Sequence, residues 1–235
     1  MKVKLLGMLF LLTVGMATQM QAQETKSFNE KDFKGIANST PATVNVYQSP
    51  NFKIEVTAED RSIFDEMEIY TEDNILKIKS KERFWNFGNN WKNVTINIWM
   101  PEIALLSVNG SGDIYAKTAI KTTDIKLSIN GSGSVNVDEM EAKEVTVGIN
   151  GSGSVLVKGK AQAEELTAKS NGSGDIRLEG LSVDEAFVSL NGSGSAKILC
   201  NKEFKGKING SGSIVLHGSP LIDAKVNGSG RLIRK

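Results

Sequence analysis

The tetrapeptide Asn-Gly-Ser-Gly occurs seven times from residue 109 onward, at intervals of 18 to 21 residues. Its copies begin at Asn109, Asn130, Asn150, Asn171, Asn191, Asn209 and Asn227. A short motif that returns at a nearly constant interval indicates a repeat architecture, in which each copy belongs to one unit of a stacked array. No other feature of the chain restricts its possible folds as strongly.

The segments on both sides of each tetrapeptide alternate between apolar and polar residues. Ile125, Leu127 and Ile129 precede one copy, and Val135 and Val137 follow it. Alternation with a period of two is typical of strands that bury one face. We therefore expect a strand before each tetrapeptide and another after it.

Asn-Gly-Ser-Gly itself is typical of a tight corner, because glycine adopts positive φ without steric cost and asparagine tolerates it. An antiparallel meander could use it as a hairpin turn, and a β-solenoid could use it as the same corner of successive coils. The segments midway between copies carry no second recurring turn motif, which favours the solenoid. In a solenoid the stacked asparagine side chains should form a hydrogen-bonded ladder. A short third strand is expected near Ile120, Ala142, Ala163, Val183 and Cys200.

The first part of the chain divides into two segments. Residues 1–22 have a basic start, an apolar run and a small-residue end, which is the pattern of a signal peptide and predicts export. Residues 23–107 are β-rich without the tetrapeptide, and should form irregular first coils and a cap that continue into the repeats of residues 108–235 as one domain. The strands expected here span residues 42–47, 52–57, 67–70, 75–80, 94–99 and 104–108, with a helical turn at 63–67.

Residues 81–92 are unusual because they concentrate aromatic side chains. Phe84, Trp85, Phe87 and Trp91 are candidate ligand-binding residues, since exposed rings can stack on a sugar or a peptide. The alternative is a loop that folds over the open core of an end coil. Both interpretations stay open at the level of sequence.

The remaining composition argues against several functions. Residues 1–22 hold two lysines and no acidic residue, so their removal changes the net charge from +1 to −1. The mature chain then has no excess of positive charge that would attract nucleic acid. Cys200 is the only cysteine, which excludes an internal disulfide, and its place in an alternating run predicts a buried side chain. The apolar run at the start is too short for a membrane span, so the mature chain should contain no transmembrane segment.

No metal site, cofactor or catalytic residue is expected. Asp113 and Asp175 follow their tetrapeptides but lie three coils apart, too far to share a calcium ion. Lys169, Lys207 and Lys225 should form a mild basic stripe on the outer face, and no aligned carboxylates are expected beside it. A solvated face is the simplest interpretation of such a stripe.

The literal Gly-Ile-Asn-Gly-Ser-Gly at residues 148–153 resembles the repeat of the putative auto-transporter adhesin, head GIN domain family. The segments Phe-Lys-Gly-Ile at 33–36, Val-Asn-Val-Tyr-Gln at 44–48 and Leu-Lys-Ile at 76–78 resemble that family's first half. The resemblance implies an all-β, right-handed parallel β-helix with a surface or envelope role, in the periplasm, on the outer membrane or outside the cell.

These observations favour an exported, non-enzymatic structural or adhesive module that contacts glycans or other cell-surface components over an extended surface. Two rival functions remain. One is a β-helix enzyme that acts on polysaccharide, and the other is an envelope subunit that assembles end to end as a homo-oligomer through its terminal coil.

Overall fold

The computed structural model describes residues 23–81, 91 and 93–235. Their strands form one 21-stranded sheet, wound into a β-solenoid of about six coils of roughly 20 residues each. This confirms the all-β solenoid that the repeat interval predicts. The residues of the predicted signal peptide lie outside the described part. Among the described residues, no helix combines the length and the apolar character that crossing a membrane would require.

The first half contains nine strands and one short helix. They are β1 (Glu24–Phe28), β2 (Gly35–Asn38), β3 (Thr43–Gln48), β4 (Lys53–Ala58), α1 (Ile63–Glu66), β5 (Met67–Glu72), β6 (Ile75–Ser80), β7 (Thr95–Met100), β8 (Leu105–Gly110) and β9 (Asp113–Ala116). The predicted strands and the helical turn of this half are confirmed to within about two residues at their ends, whereas β1 and β2 were not predicted.

The second half consists of strands alone. They are β10 (Ile120–Lys121), β11 (Asp124–Gly131), β12 (Ser134–Val137), β13 (Met140–Glu141), β14 (Glu144–Gly151), β15 (Ser154–Val157), β16 (Ala161–Gly172), β17 (Asp175–Gly192), β18 (Ser195–Gly210), β19 (Ser213–His217), β20 (Leu221–Asn227) and β21 (Arg231–Arg234). The longest of these strands bend around more than one side of the coil.

Parallel pairing between coils produces three columns of stacked strands. The lead column enters the tetrapeptides and contains β8, β11, β14, the later parts of β16, β17 and β18, and β20. The exit column leaves them through β9, β12, β15, the first parts of β17 and β18, β19 and β21. The short column contains β10, β13 and the segments of β16, β17 and β18 that pair beside them, as the predicted third strand required.

The corners are connected by the expected asparagine ladder. Each asparagine donates a hydrogen bond from Nδ2 to Oδ1 of the asparagine one coil earlier, over 2.7 to 3.0 Å, from Asn227 back to Asn109. Every rung therefore has the same direction. Aligned amide hydrogen bonds of this kind polarise one another, which strengthens the chain of bonds as a whole.

The two glycines of each corner are required for different reasons. Gly151 has a φ of +129°, a conformation that other residues rarely adopt. Gly153 has an ordinary φ, but a Cβ atom there would lie 2.4 Å from the carbonyl oxygen of Gly133 in the coil below. The close stacking of corners thus excludes a side chain at both positions.

The first coil of the chain is not the first coil of the stack. β2 pairs in parallel with β6 on one side and β8 on the other, while β3 pairs with β7 and β9. The coil formed by β2 and β3 therefore lies between two coils that come later in the sequence. No pattern in the sequence predicts this order.

The corner between β2 and β3 contains no tetrapeptide. Asn38 is fully buried there, at the position that Val108 occupies in the next coil. Its Nδ2 donates to the carbonyl oxygen of Ala42 over 3.1 Å, and its Oδ1 accepts from Thr40 N and Thr40 Oγ1 over 3.0 and 2.7 Å. At this corner a buried side chain therefore makes the stabilising hydrogen bonds, whereas the exposed asparagine ladder makes them at the other corners.

Beyond this coil and the coil of β6 and β7, the stack ends in a region that we call the cap, formed by β1, α1 and β5. β5 pairs antiparallel with β6, and β1 pairs antiparallel with β4, which is itself antiparallel to β7. Ile63 and Phe64 of α1 are buried against the apolar core. The cap therefore closes one end of the core, as solenoids generally require.

The core itself runs along the solenoid axis. Inward-facing residues of all three columns are almost completely buried, including Leu127, Val147 and Ile198. Cys200 is buried as predicted, with its Sγ 3.1 Å from the carbonyl oxygen of Glu203, and burial raises the pKa of its thiol. A protonated, inaccessible thiol is a packing residue.

Candidate functional site

Of the four aromatic residues predicted to bind a ligand, only Trp91 lies within the described residues. Trp91 is half-buried and packs against the apolar core. Phe84, Trp85 and Phe87 lie outside the described residues, so the ligand-binding role of this segment stays a prediction.

Trp99, the third tryptophan, belongs to a stack on the outer face of the exit column. Its ring lies 5.0 Å from the Tyr47 ring at an interplanar angle of 12°, and Lys53 Nζ lies 4.8 Å from the indole centroid. Tyr47 and Lys53 come from the strands on either side of Trp99. Both faces of the indole are therefore occupied by the protein's own side chains, which leaves no free ring for a sugar.

A polar groove runs along the solenoid where the short column bends into the lead column. The groove has a volume of about 690 Å³ and crosses five coils. One wall is a stack of residues in register, and it contains Lys121, Glu141, Gln162 and Ser182. The other wall contains Thr123, Lys143, Glu164 and Asp184, and half-buried Ala142 and Ala163 lie between the walls. This polar groove offers hydroxyl, amide, ammonium and carboxylate groups at the spacing of the coils, about 4.8 Å.

The wall that holds Glu164 and Asp184 is followed directly by a column of stacked acids. It contains Asp124, Glu144, Glu165, Glu185 and Glu203, each paired in register with the next. We call this set the acidic column. The expectation that the outer face lacks aligned carboxylates is therefore wrong. In these five coils the acid stands at the start of the lead-column segment, just before its alternating apolar residues begin.

Lysines at the later coils partly offset the charge of the acidic column. Lys202 Nζ lies 2.8 Å from Asp184 Oδ2, and Lys205 Nζ lies 2.7 Å from Glu203 Oε1. The hydrogen bond to Asp184 raises the pKa of Lys202, and the hydrogen bond to Glu203 raises that of Lys205, with Glu185 adding to both. Each shift therefore has one directly bonded carboxylate as its main cause, and Glu185 of the acidic column contributes less.

One large apolar side chain is exposed beside the acidic column. Phe187 is 38% exposed, and a shallow depression of about 150 Å³ joins it to Glu165, Glu185 and Glu203. An exposed ring next to carboxylates can combine stacking with hydrogen bonds to hydroxyl groups. Phe187 occupies an outward position that is polar in the neighbouring copies, so strand alternation does not predict this combination.

The predicted basic stripe is present only in part. Lys207 and Lys225 pair in register, but Ser189 separates Lys207 from Lys169. The two aspartates considered for calcium instead bond to the next coil, where Ser134 Oγ and Ser195 Oγ each donate to a carboxylate oxygen over 2.6 Å. Within the part of the chain that the structure describes, no cluster of three acidic, histidine or cysteine side chains is arranged to hold a metal ion.

Solved structures from several bacteria have the same fold. A putative adhesin from Bacteroides fragilis is 22% identical and superposes with a TM-score of 0.85, over 91% of this chain and 97% of that one. A putative lipid binding protein and a putative adhesin from Parabacteroides distasonis are 21% and 23% identical, with TM-scores of 0.74 and 0.71. These two matches also cover 91% of this chain, and 96% and 97% of the respective neighbours. At this level of identity the likeness shows the fold alone.

No curated protein matches the chain. A family model does, over residues 32–220, which includes the interleaved first coils and all but the last repeat. Its description is "Putative auto-transporter adhesin, head GIN domain". The chain therefore belongs to the head GIN domain family of putative auto-transporter adhesins.

Proposed function

We propose that this protein is an exported, non-enzymatic adhesive module of the cell envelope that binds a linear, neutral glycan along the polar groove. The observation that carries the proposal is the groove itself, with two walls of polar side chains, one of which is stacked in register across four coils. A polymer with a repeating unit can use the same contact at successive coils. Weak individual contacts then add through multivalency. The adhesin description of the family supports the same function.

The chemistry of the lining favours a sugar chain without its own negative charge. Carboxylates such as Glu141 and Glu164 accept hydrogen bonds from hydroxyl pairs, and Lys121 and Lys143 donate to ring and hydroxyl oxygens. The acidic column would repel an acidic polysaccharide that lay along this wall. Phe187, whose ring centroid lies 5.9 Å from Lys169 Nζ, supplies a partly exposed ring beside the acidic column. A polar lining also suits a sugar better than an acyl chain.

The rival function, an enzyme that acts on polysaccharide, gains candidate carboxylates from the acidic column. Glycoside hydrolysis uses one carboxylic acid whose pKa is raised by an apolar environment. Glu144, Glu165 and Glu185 are instead exposed to water. Exposure of this kind supports binding rather than acid–base chemistry.

Calorimetric titration with neutral and acidic linear glycans tests the proposal. We expect saturable binding of a neutral glycan, and at least a tenfold loss of affinity when Glu141→Lys and Glu164→Lys are combined. Glu59→Lys with Glu102→Lys makes the same charge change on exposed residues outside the groove and should leave affinity unchanged. Equal binding by both double variants would exclude the groove, and release of shorter products would exclude a purely adhesive function.

Tryptophan fluorescence separates the groove from the aromatic segment at residues 84–91. All three tryptophans lie between positions 85 and 99, so their emission reports on that region alone. Binding in the groove should leave the emission unchanged. A blue shift on titration that disappears in Trp85→Ala would instead locate the glycan at Phe84, Trp85, Phe87 and Trp91.

A further inference from the structure

The last coil, formed by β20 and β21 and here called the end coil, exposes side chains that earlier coils bury. Val226 is 42% exposed, whereas Ile208 and Leu190, the residues stacked in register before it, are each 1% exposed. Leu221 and Ile233 are 79% and 37% exposed, but they follow Glu203 and Val215 at outward positions, so they add apolar surface to the sides of the end coil. Among the described residues, β20 pairs only with β18 and β21 only with β19. The end coil therefore presents apolar side chains and two free strand edges, which are a template for further pairing.

The cap at the opposite end also presents two free edges. Among the described strands, β5 pairs only with β6, and β1 pairs only with β4. β5 continues the lead column and β1 continues the exit column, so the free edges lie in the same two columns at both ends. In the exit column the free edge lies one strand further out than in the lead column, because β4 stands between β1 and β7. A second copy placed end to end would therefore meet β1 first and could pair with it, as in β-augmentation.

The two ends carry opposite charge. The end coil, residues 221–235, has four basic residues and one acidic residue. Residues 59–73, which lead into the cap and include α1 and β5, have seven acidic residues and one basic residue. Arg231 and Arg234 form no ion pair with the described residues, and neither do the exposed carboxylates of Asp65 and Glu68. Two end coils would repel each other, whereas an end coil and a cap attract.

We propose that a second copy of this chain covers the end coil, with the cap of one molecule docked on the end coil of the next. The contact is head to tail, so it uses two different surfaces and does not close on itself. Such contacts generate linear assemblies. The inference does not depend on what the groove binds.

Sedimentation velocity and light scattering on the chain that follows residue 22 test the contact. We expect the average mass to rise with protein concentration up to about 1 mM. The rise should weaken in about 1 M salt, where charges are screened beyond about 3 Å. A mass that stays that of a monomer over this range would overturn the proposal.

Charge reversal identifies the surfaces. Arg231→Glu with Arg234→Glu, and separately Asp65→Lys with Glu68→Lys, should each reduce the association constant at least tenfold. Lys126→Glu with Lys169→Glu alters exposed side-face residues and should not. All four end substitutions in one chain should restore association, because both charges are exchanged. Association that ignores Asp65→Lys with Glu68→Lys would indicate contact between two end coils and overturn the head-to-tail arrangement. A melting curve for each variant confirms that the fold persists.

Discussion

The two halves of this solenoid stack their coils and stabilise their corners in different ways. In the repeat half each coil stacks on the coil that precedes it in sequence, and exposed asparagines bond the corners in one continuous ladder. In the first half the coil of β2 and β3 is inserted between later coils, and the buried Asn38 bonds its corner. The comparison teaches that coil stacking requires matching strand columns, but neither sequential order nor a particular corner motif.

The largest expected effect concerns the corner glycines of the repeat half. Gly151→Ala places a Cβ 2.4 Å from the Gly131 carbonyl oxygen, at a residue whose φ is +129°. Backbone strain and overpacking together should lower the free energy of unfolding by at least about 3 kcal/mol. Gly148→Ala is the matched control in the same strand, because its Cβ would meet nothing within 4 Å.

Urea denaturation measures both variants. Gly148→Ala should stay within about 0.5 kcal/mol of the parent. If Gly151→Ala is equally mild, the corners can separate without loss, and the close stacking described above does not hold the array together.

An intermediate effect distinguishes the two kinds of corner. Asn38→Ala removes three buried hydrogen bonds and leaves Thr40 N and the Ala42 carbonyl oxygen without their partner, so we expect a loss of about 2–3 kcal/mol. Asn150→Ala interrupts the exposed ladder, where water replaces the missing amide, and should cost about 1 kcal/mol. The same denaturation experiment compares them. A larger loss for Asn150→Ala would mean that the ladder, rather than burial, provides the main corner stability.

The smallest effect depends on pH and concerns one coil in which aspartate replaces the usual serine. Burial would raise the pKa of Asp175, but hydrogen bonds from Ser195 and Arg177 outweigh it and lower that pKa. The stabilisation is therefore present above about pH 4, the usual range of an aspartate, and is lost as pH falls through the lowered folded pKa. Asp175→Asn should cost up to about 1 kcal/mol at neutral pH and progressively less as the pH falls through the lowered pKa. A difference that does not change with pH would contradict this assignment.

Sequence predicted the repeat half well because its information is local. The alternation around Val135 is visible within one copy, and the tetrapeptide at Asn130 returns in the next copy. Stacked coils repeat both features. The first half was predicted as strands but not as an arrangement. β2 has only four residues, and its partners β6 and β8 follow it by about 40 and 70 positions, so no local pattern reveals which coil it joins.

The candidate site was harder to predict than the fold, for a different reason. The walls of the polar groove lie at the bends, where Thr123, Lys143 and Glu164 differ from copy to copy and resemble ordinary surface residues. The acidic column was visible in principle, since an acid stands six residues before the asparagine in five copies. Strand alternation alone did not reveal it; alignment of whole repeats does.

The one-way direction of the asparagine ladder has a consequence for how such chains vary in length. Each asparagine between the ends of the ladder donates to the asparagine one coil earlier and accepts from the asparagine one coil later. All of these positions are therefore equivalent. Duplication or deletion of a whole repeat would leave every remaining corner with an identical partner. A change in the number of coils should therefore have little effect on the fold. Evolution can adjust the length of the groove one coil at a time, without redesigning the cap or the end coil.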